Sequence, residues 1–111
     1  VTMDDLKFSF DNAELSNQAQ KALKPIAEMI NQRPERTILI EGFTDSMGNE
    51  VYNDKLSVRR AIAVRAFLIK TGVNPDQLIP NGQGALSPVA TNENILGRKR
   101  NRRVEIVILA D

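Results

Sequence analysis

The sequence predicts an α/β (α+β) two-layer domain, a mixed sheet with helices packed on it, in the order β-α-β-α-β-(loop)-β. Three observations predict it. Short β-rich runs recur at Leu6–Phe10, Thr37–Glu41, Leu78–Ile79 and Val104–Ile108. Two longer stretches between them carry apolar residues at helical spacing, with Gly, Pro and Asn at the boundaries. At 111 residues the chain suits one core rather than two, so residues 1–111 read as one domain.

The elements follow in order. Leu6-Lys7-Phe8-Ser9-Phe10 alternates apolar and polar residues, a half-buried strand, and Asp11-Asn12 stops it. Ser16 is an N-cap candidate for a helix over Asn17–Gln32, whose apolar face is Ala19, Leu23, Ile26, Ala27 and Ile30. Pro25 falls inside this pattern and must kink the helix or mark a late start. Thr37–Glu41 is nearly all apolar, as an interior strand is. Gly42 to Asn49 forms a polar loop, with a helical turn around Val51-Tyr52-Asn53. Ser57 is the N-cap candidate for the main second helix, with Ala61, Val64, Ala66, Leu68 and Ile69 inward and Gly72 as its stop. Leu78-Ile79 with Gly82-Gln83-Gly84 reads as a short irregular strand, Ser87–Gly97 mainly as loop with room for one helical turn, and Val104–Ile108 as the last strand. The opening Val1-Thr2-Met3, without an initiator Met, reads as an excised or processed segment of something larger, with no signal peptide.

Composition excludes several chemistries. Fifteen Lys and Arg against fourteen Asp and Glu leave a net charge of +1, too small for a whole-chain field that steers nucleic acid. Cysteine and histidine are both missing, so a disulfide framework, a zinc-thiolate site and a Ser-His-Asp site cannot be built. No apolar run is long enough for a transmembrane helix.

The charges that stand out are local. Arg59 and Arg60 are expected in the first turn of the second helix, at the positive pole of its macrodipole, where arginines are mildly unfavourable. One reading is a solvated arginine beside one paired with a nearby carboxylate. The other is an anion site made by an arginine and the exposed backbone N–H groups. Asp45 lies in the loop after a central strand, where open α/β sheets place ligands, although an Asx turn explains it equally. If the loop folds back, Asp45 and Arg60 together suit a zwitterion. The run Arg98-Lys99-Arg100-Asn101-Arg102-Arg103 suggests nucleic acid or an anionic surface, against the plainer alternative of a solvated flank.

At this point the residues resemble the OmpA-like C-terminal domains of bacterial envelope proteins. The resemblance covers nearly the whole chain. It rests on Phe8 to Leu15, on Gly42-Phe43-Thr44-Asp45-Ser46-Met47-Gly48, on Tyr52-Asn53 with Leu56-Ser57-Val58-Arg59-Arg60-Ala61, on Gly82-Gln83-Gly84 and Pro88, and on Asn101-Arg102-Arg103-Val104-Glu105-Ile106. It implies an OmpA-like fold and a non-enzymatic domain that binds peptidoglycan, without cofactor or metal. The implied ligand is the diaminopimelate residue of the stem peptide, whose end bears an ammonium and a carboxylate. Asp45 would take the ammonium and Arg60 the carboxylate, helped by backbone N–H groups at the helix start. Thr44, Asn53 and Arg102 would line the pocket, and Asp11 would be a polar position on the first loop. Arg59 would be the solvated neighbour. Arg102 thereby gives the basic run a local role, which removes nucleic acid as a partner. The setting implied is the periplasm of a Gram-negative bacterium, with any outer- or inner-membrane anchor outside this chain. Phe43 departs from the Tyr or His common at its position, Met47 is apolar where the loop is often polar, and the Ser87–Gly97 loop is short.

Two other functions compete. A wall hydrolase would use Asp45 with Glu41 as a carboxylate pair, which lacks support from any metal-ligand set. A protein-interaction domain, pairing with another envelope protein or as a homodimer, is compatible with wall binding.

Overall fold

A computed structural model of the chain describes residue 13 and residues 15–109. The strand expected at Leu6–Phe10, and Asp11 with it, lie outside the described residues. The elements are α1 (Asn17–Asn31), β1 (Ile38–Gly42), α2 (Glu50–Lys70), a 3-10 turn (Pro75–Gln77), β2 (Leu78–Gly82), α3 (Ile95–Asn101) and β3 (Val104–Ile108).

Among the described residues the sheet has the order β2-β1-β3, with β1 parallel to β2 and antiparallel to β3. The parallel pair needs a crossover, and α2 supplies it. Its inner face packs across β1 and β2. Ile38 and Ile40 point into this interface with Leu78, Val104 and Ile106, and α1 and α2 close it with Leu23, Ile26, Ile30, Ala61, Val64 and Leu68. Leu39 and Glu41, on the opposite face of β1, are only half-buried, so one face of the strand faces the helices.

α1 begins where its cap predicts: the Ser16 hydroxyl accepts the Ala19 N–H at 3.0 Å. The helix runs through Pro25 rather than starting after it. Pro25 and Lys21 are exposed, so the Lys21 carbonyl that loses its N–H donor lies on the solvent side.

The second helix corrects the sequence reading. α2 starts at Glu50, capped by Asn49, whose side chain accepts the Tyr52 N–H at 2.7 Å. Ser57 is therefore not a cap. It sits inside the helix, where its hydroxyl donates to the Asp54 carbonyl (2.7 Å) and accepts the Gly84 N–H (2.8 Å). This clamp lies over Gly42 and Gly82, which are paired side by side in β1 and β2. A Cβ at Gly42 would fall on the Ser57 carbonyl, and one at Gly82 would meet the Ser57 hydroxyl and Val58 backbone. Two glycines thus make a flat spot on which one turn of α2 rests.

Candidate functional site

The chain leaves β1 between its two neighbours. The Phe43 N–H donates to the Arg103 carbonyl on the β3 side (2.9 Å), and the Thr44 N–H donates to the Gly84 carbonyl on the β2 side (2.8 Å). Asp45 is thereby set at the carboxyl end of the central strand, where ligand sites of open sheets form. It is 2% exposed. So enclosed a carboxylate needs partners. Its Oδ1 accepts the Met47 N–H at 2.9 Å, an Asx turn, and its Oδ2 meets Arg102 Nη1 at 2.7 Å.

One stripe of α2 faces this loop. Asn53, Ser57 and Arg60 follow at steps of four and three residues, and all are buried. Asn53 Nδ2 donates to the Asp45 carbonyl at 3.4 Å. Arg60, at 0% exposure, donates Nη1 to the Phe43 carbonyl at 2.9 Å. Arg59 points outward over the Tyr52 ring, 6.0 Å from its centroid. Because α2 starts at Glu50, Arg59 and Arg60 are not in its first turn. They lie away from the positive pole of the helix, and the backbone N–H groups of the helix start are not beside Arg60.

The third wall is α3 and the loop before it. Expected mostly as loop and strand flank, Arg98 to Asn101 are helical, and Asn94 caps the helix. Gly97 lies directly against the Thr91 carbonyl, where a Cβ would not fit. Asn101, fully buried, accepts the N–H groups of Val89 and Ala90 and donates to the Ala90 carbonyl and Asn92 Oδ1. Asn92 in turn accepts the Ser46 N–H at 3.3 Å and, through its carbonyl, Arg98 Nη1 at 3.0 Å. The Asp45 loop is therefore tied to α2 on one side and to α3 on the other.

Two recesses open beside that loop. One, of about 240 Å³, is lined by Asp45, Met47, Ile95, Arg98 and Arg102. The other, of about 350 Å³, is lined by Ser46, Gly48, Glu50, Asn53, Asp54, Ala85 and Leu86. Thr44 is buried between the strand end and Asp45, and its hydroxyl has no hydrogen-bond partner among the described residues. Of the residues expected at the site, Asp45 and Arg102 are in contact, Asn53 holds the Asp45 backbone, and Thr44 adjoins it. Arg60 sits behind the Phe43 carbonyl. Among the described residues no group of three or more Asp or Glu could hold a metal ion.

The chain matches the OmpA family over residues 7–102. It belongs to the OmpA family. It is 42% identical over 105 residues to outer membrane protein A of Bordetella avium, covering 95% of this chain and 54% of that protein. It is 36% identical over 108 residues to the peptidoglycan-binding protein ArfA of Mycobacterium bovis, covering 97% of this chain and 33% of that one. The chain thus spans between a third and about half of these relatives. The crystal structure of the peptidoglycan-associated lipoprotein from Burkholderia pseudomallei superposes with a TM-score of 0.89 at 35% identity, over 93% of this chain and 87% of that one. The OmpA-like fold read from the motifs is established by these matches.

At the candidate site of this OmpA-family domain, Arg98 and Ile95 are not among the residues expected from sequence. Arg98 reads from sequence only as part of a basic run, and Ile95 as part of a segment that is mainly loop with one helical turn. Its signal was available: Asn94 caps at the right distance from Gly97, whose N–H it accepts at 2.7 Å. Arg103 was read as part of the same run, yet it is 3% exposed and structural. It stacks 3.8 Å from the Phe43 ring centroid and pairs with Glu105 at 2.7 Å. Phe43 is a platform for this arginine, a use that a ring hydroxyl or imidazole is not needed for.

Proposed function

We propose that this domain binds peptidoglycan non-covalently through the diaminopimelate residue of a stem peptide, and so tethers an envelope protein to the cell wall. The observation that carries the reading is Asp45: a carboxylate only 2% exposed, at the end of the central strand, lining a small recess with Arg98 and in contact with the Arg102 guanidinium. The free end of diaminopimelate bears an ammonium and a carboxylate on one carbon. Asp45 takes the ammonium on lone pairs left by Met47 N–H and Arg102. A guanidinium takes the carboxylate, from Arg60 or from Arg102 as the ammonium takes its place on Asp45. Asn53 holds the loop, the Thr44 hydroxyl offers a donor, and Asp11 contributes from the first loop. ArfA and the lipoprotein are named for peptidoglycan, which supports the same ligand here.

No bond is made or broken. Glu41, the other carboxylate of a hypothetical acid pair, accepts Gln83 Nε2 at 2.7 Å and lies on the strand rather than across a cleft from Asp45. The setting is the periplasm. No described helix is long and apolar enough to cross a membrane. One residue-sized contact binds weakly, so retention at the wall comes from many copies in one membrane.

Purified sacculi test the assignment. Asp45→Ala and Arg60→Ala are expected to abolish co-sedimentation while circular dichroism stays native, and Asp45→Asn gives the same loss with less change of shape. Unchanged retention by folded variants rejects the site. A second reading, docking of an envelope protein or a second copy, draws on exposed Val51, Val58 and Ile62 along α2 and Ile79 on β2. Light scattering of the isolated domain distinguishes a monomer from a dimer.

A further inference from the structure

The recess beside Asp45 holds more positive charge than a zwitterion uses. Its charged lining is one carboxylate, Asp45, and two guanidiniums, Arg98 and Arg102. Asp45 and Arg102 already meet at 2.7 Å. Arg98 is the surplus. It forms none of the ion pairs seen among the described residues, and its one hydrogen bond, Nη1 to the Asn92 carbonyl at 3.0 Å, leaves its other donors to the recess and solvent. That bond also fixes its direction, because Asn92 is itself held by the buried Asn101. Asn94 and Gly97 set the helix that carries it.

The rest of the lining is apolar. Met47 is 48% exposed and Ile95 74% exposed, two large side chains presented at the mouth of a charged recess. The volume of about 240 Å³ is below that of pockets for drug-sized molecules, so it suits one or two small residues. A surplus guanidinium beside an apolar wall fits a carboxylate attached to a small hydrocarbon group.

Building on the peptidoglycan reading, we propose that Arg98, Met47 and Ile95 form a second subsite for a free C-terminal alanine next to the diaminopimelate. The carboxylate of that alanine pairs with Arg98, and its methyl group rests on Met47 and Ile95. In a stem that has donated this carbonyl to a cross-link the same carbonyl is an amide and carries no charge, so the subsite discriminates against donor stems. Selection is then a difference of charge, not of shape.

Calorimetric titration of two soluble diaminopimelate tetrapeptides, one ending in a free alanine carboxylate and one in the alanine amide, tests this directly. The wild-type domain is expected to hold the acid roughly tenfold tighter, as for a hydrogen bond to a charged group. Arg98→Gln erases the difference, Arg98→Lys retains part of it, and Met47→Ser weakens the acid. Equal affinity of the wild type for acid and amide overturns the subsite and leaves the diaminopimelate reading standing. A preference that survives in folded Arg98→Gln also overturns it. Binding of neither peptide overturns both readings.

Discussion

Arg98, Arg102 and Arg103 lie within six positions of one another and have three different fates. Arg98 lines the recess, Arg102 meets Asp45 at 2.7 Å, and Arg103 is enclosed with Glu105 at 2.7 Å and the Ser87 carbonyl at 2.9 Å. Sequence order cannot separate them, because a chain turning from helix to strand rotates each side chain to a different side. A basic run is therefore a poor unit of prediction. Removing Arg103 leaves Glu105 and two carbonyls without their donor and strips the Phe43 ring. Arg103→Ala is expected to cost about 2–4 kcal/mol in urea denaturation. A loss under ~0.5 kcal/mol would mean that this cluster is not structural.

At the scale of elements, α1, β1 and β3 were legible to within a residue or so at each end. Their periodicity is apolar and their caps are conventional, as with Ser16. α2 was legible as two pieces, a helical turn around Val51-Tyr52-Asn53 and a helix from Ser57, where the structure has one helix from Glu50 to Lys70. Its first half turns Asn53, Ser57 and Arg60 inward, a polar stripe that hydrophobic periodicity cannot see. Leu56-Ser57 then imitates a helix start, while the real cap, Asn49, looks like one more loop residue. The polar stripe is polar because it faces the strand end and the Asp45 loop rather than the core. The proposed function and the misreading thus have the same cause. The contact that places the stripe is the glycine pair. Gly42→Ala forces its Cβ onto the Ser57 carbonyl and lifts α2. A destabilisation of about 1–3 kcal/mol is expected, with weaker wall binding even where the variant folds, because Asn53 and Arg60 move with the helix. Wild-type stability in that variant would contradict the close approach.

The whole molecule carries a net charge of +1, so its long-range field contributes little to finding a partner. At the proposed site the charges lie at one end of the sheet, in partly or wholly buried groups that salt screens weakly. Affinity for a soluble stem peptide is expected to fall by less than about tenfold from low to physiological salt, whereas a protein contacting several phosphates loses roughly a thousandfold or more. A steep salt slope would return the basic run to the role of a nucleic-acid or anionic-surface binder. The family was legible because spaced motifs in order specify more than any single element does. The partner of Asp45 was less so, because loop closure brings Arg102 to it from the far end of the chain.

The most direct measurement compares two stem peptides that differ only in the third residue, diaminopimelate or lysine, by titration against the wild-type domain. Lysine keeps the ammonium for Asp45 and lacks the carboxylate for the guanidinium. The account predicts that diaminopimelate binds tighter by roughly ten- to a hundredfold, the value of a charged hydrogen bond at about 1.5–3 kcal/mol. Equal affinity for the two peptides would contradict it.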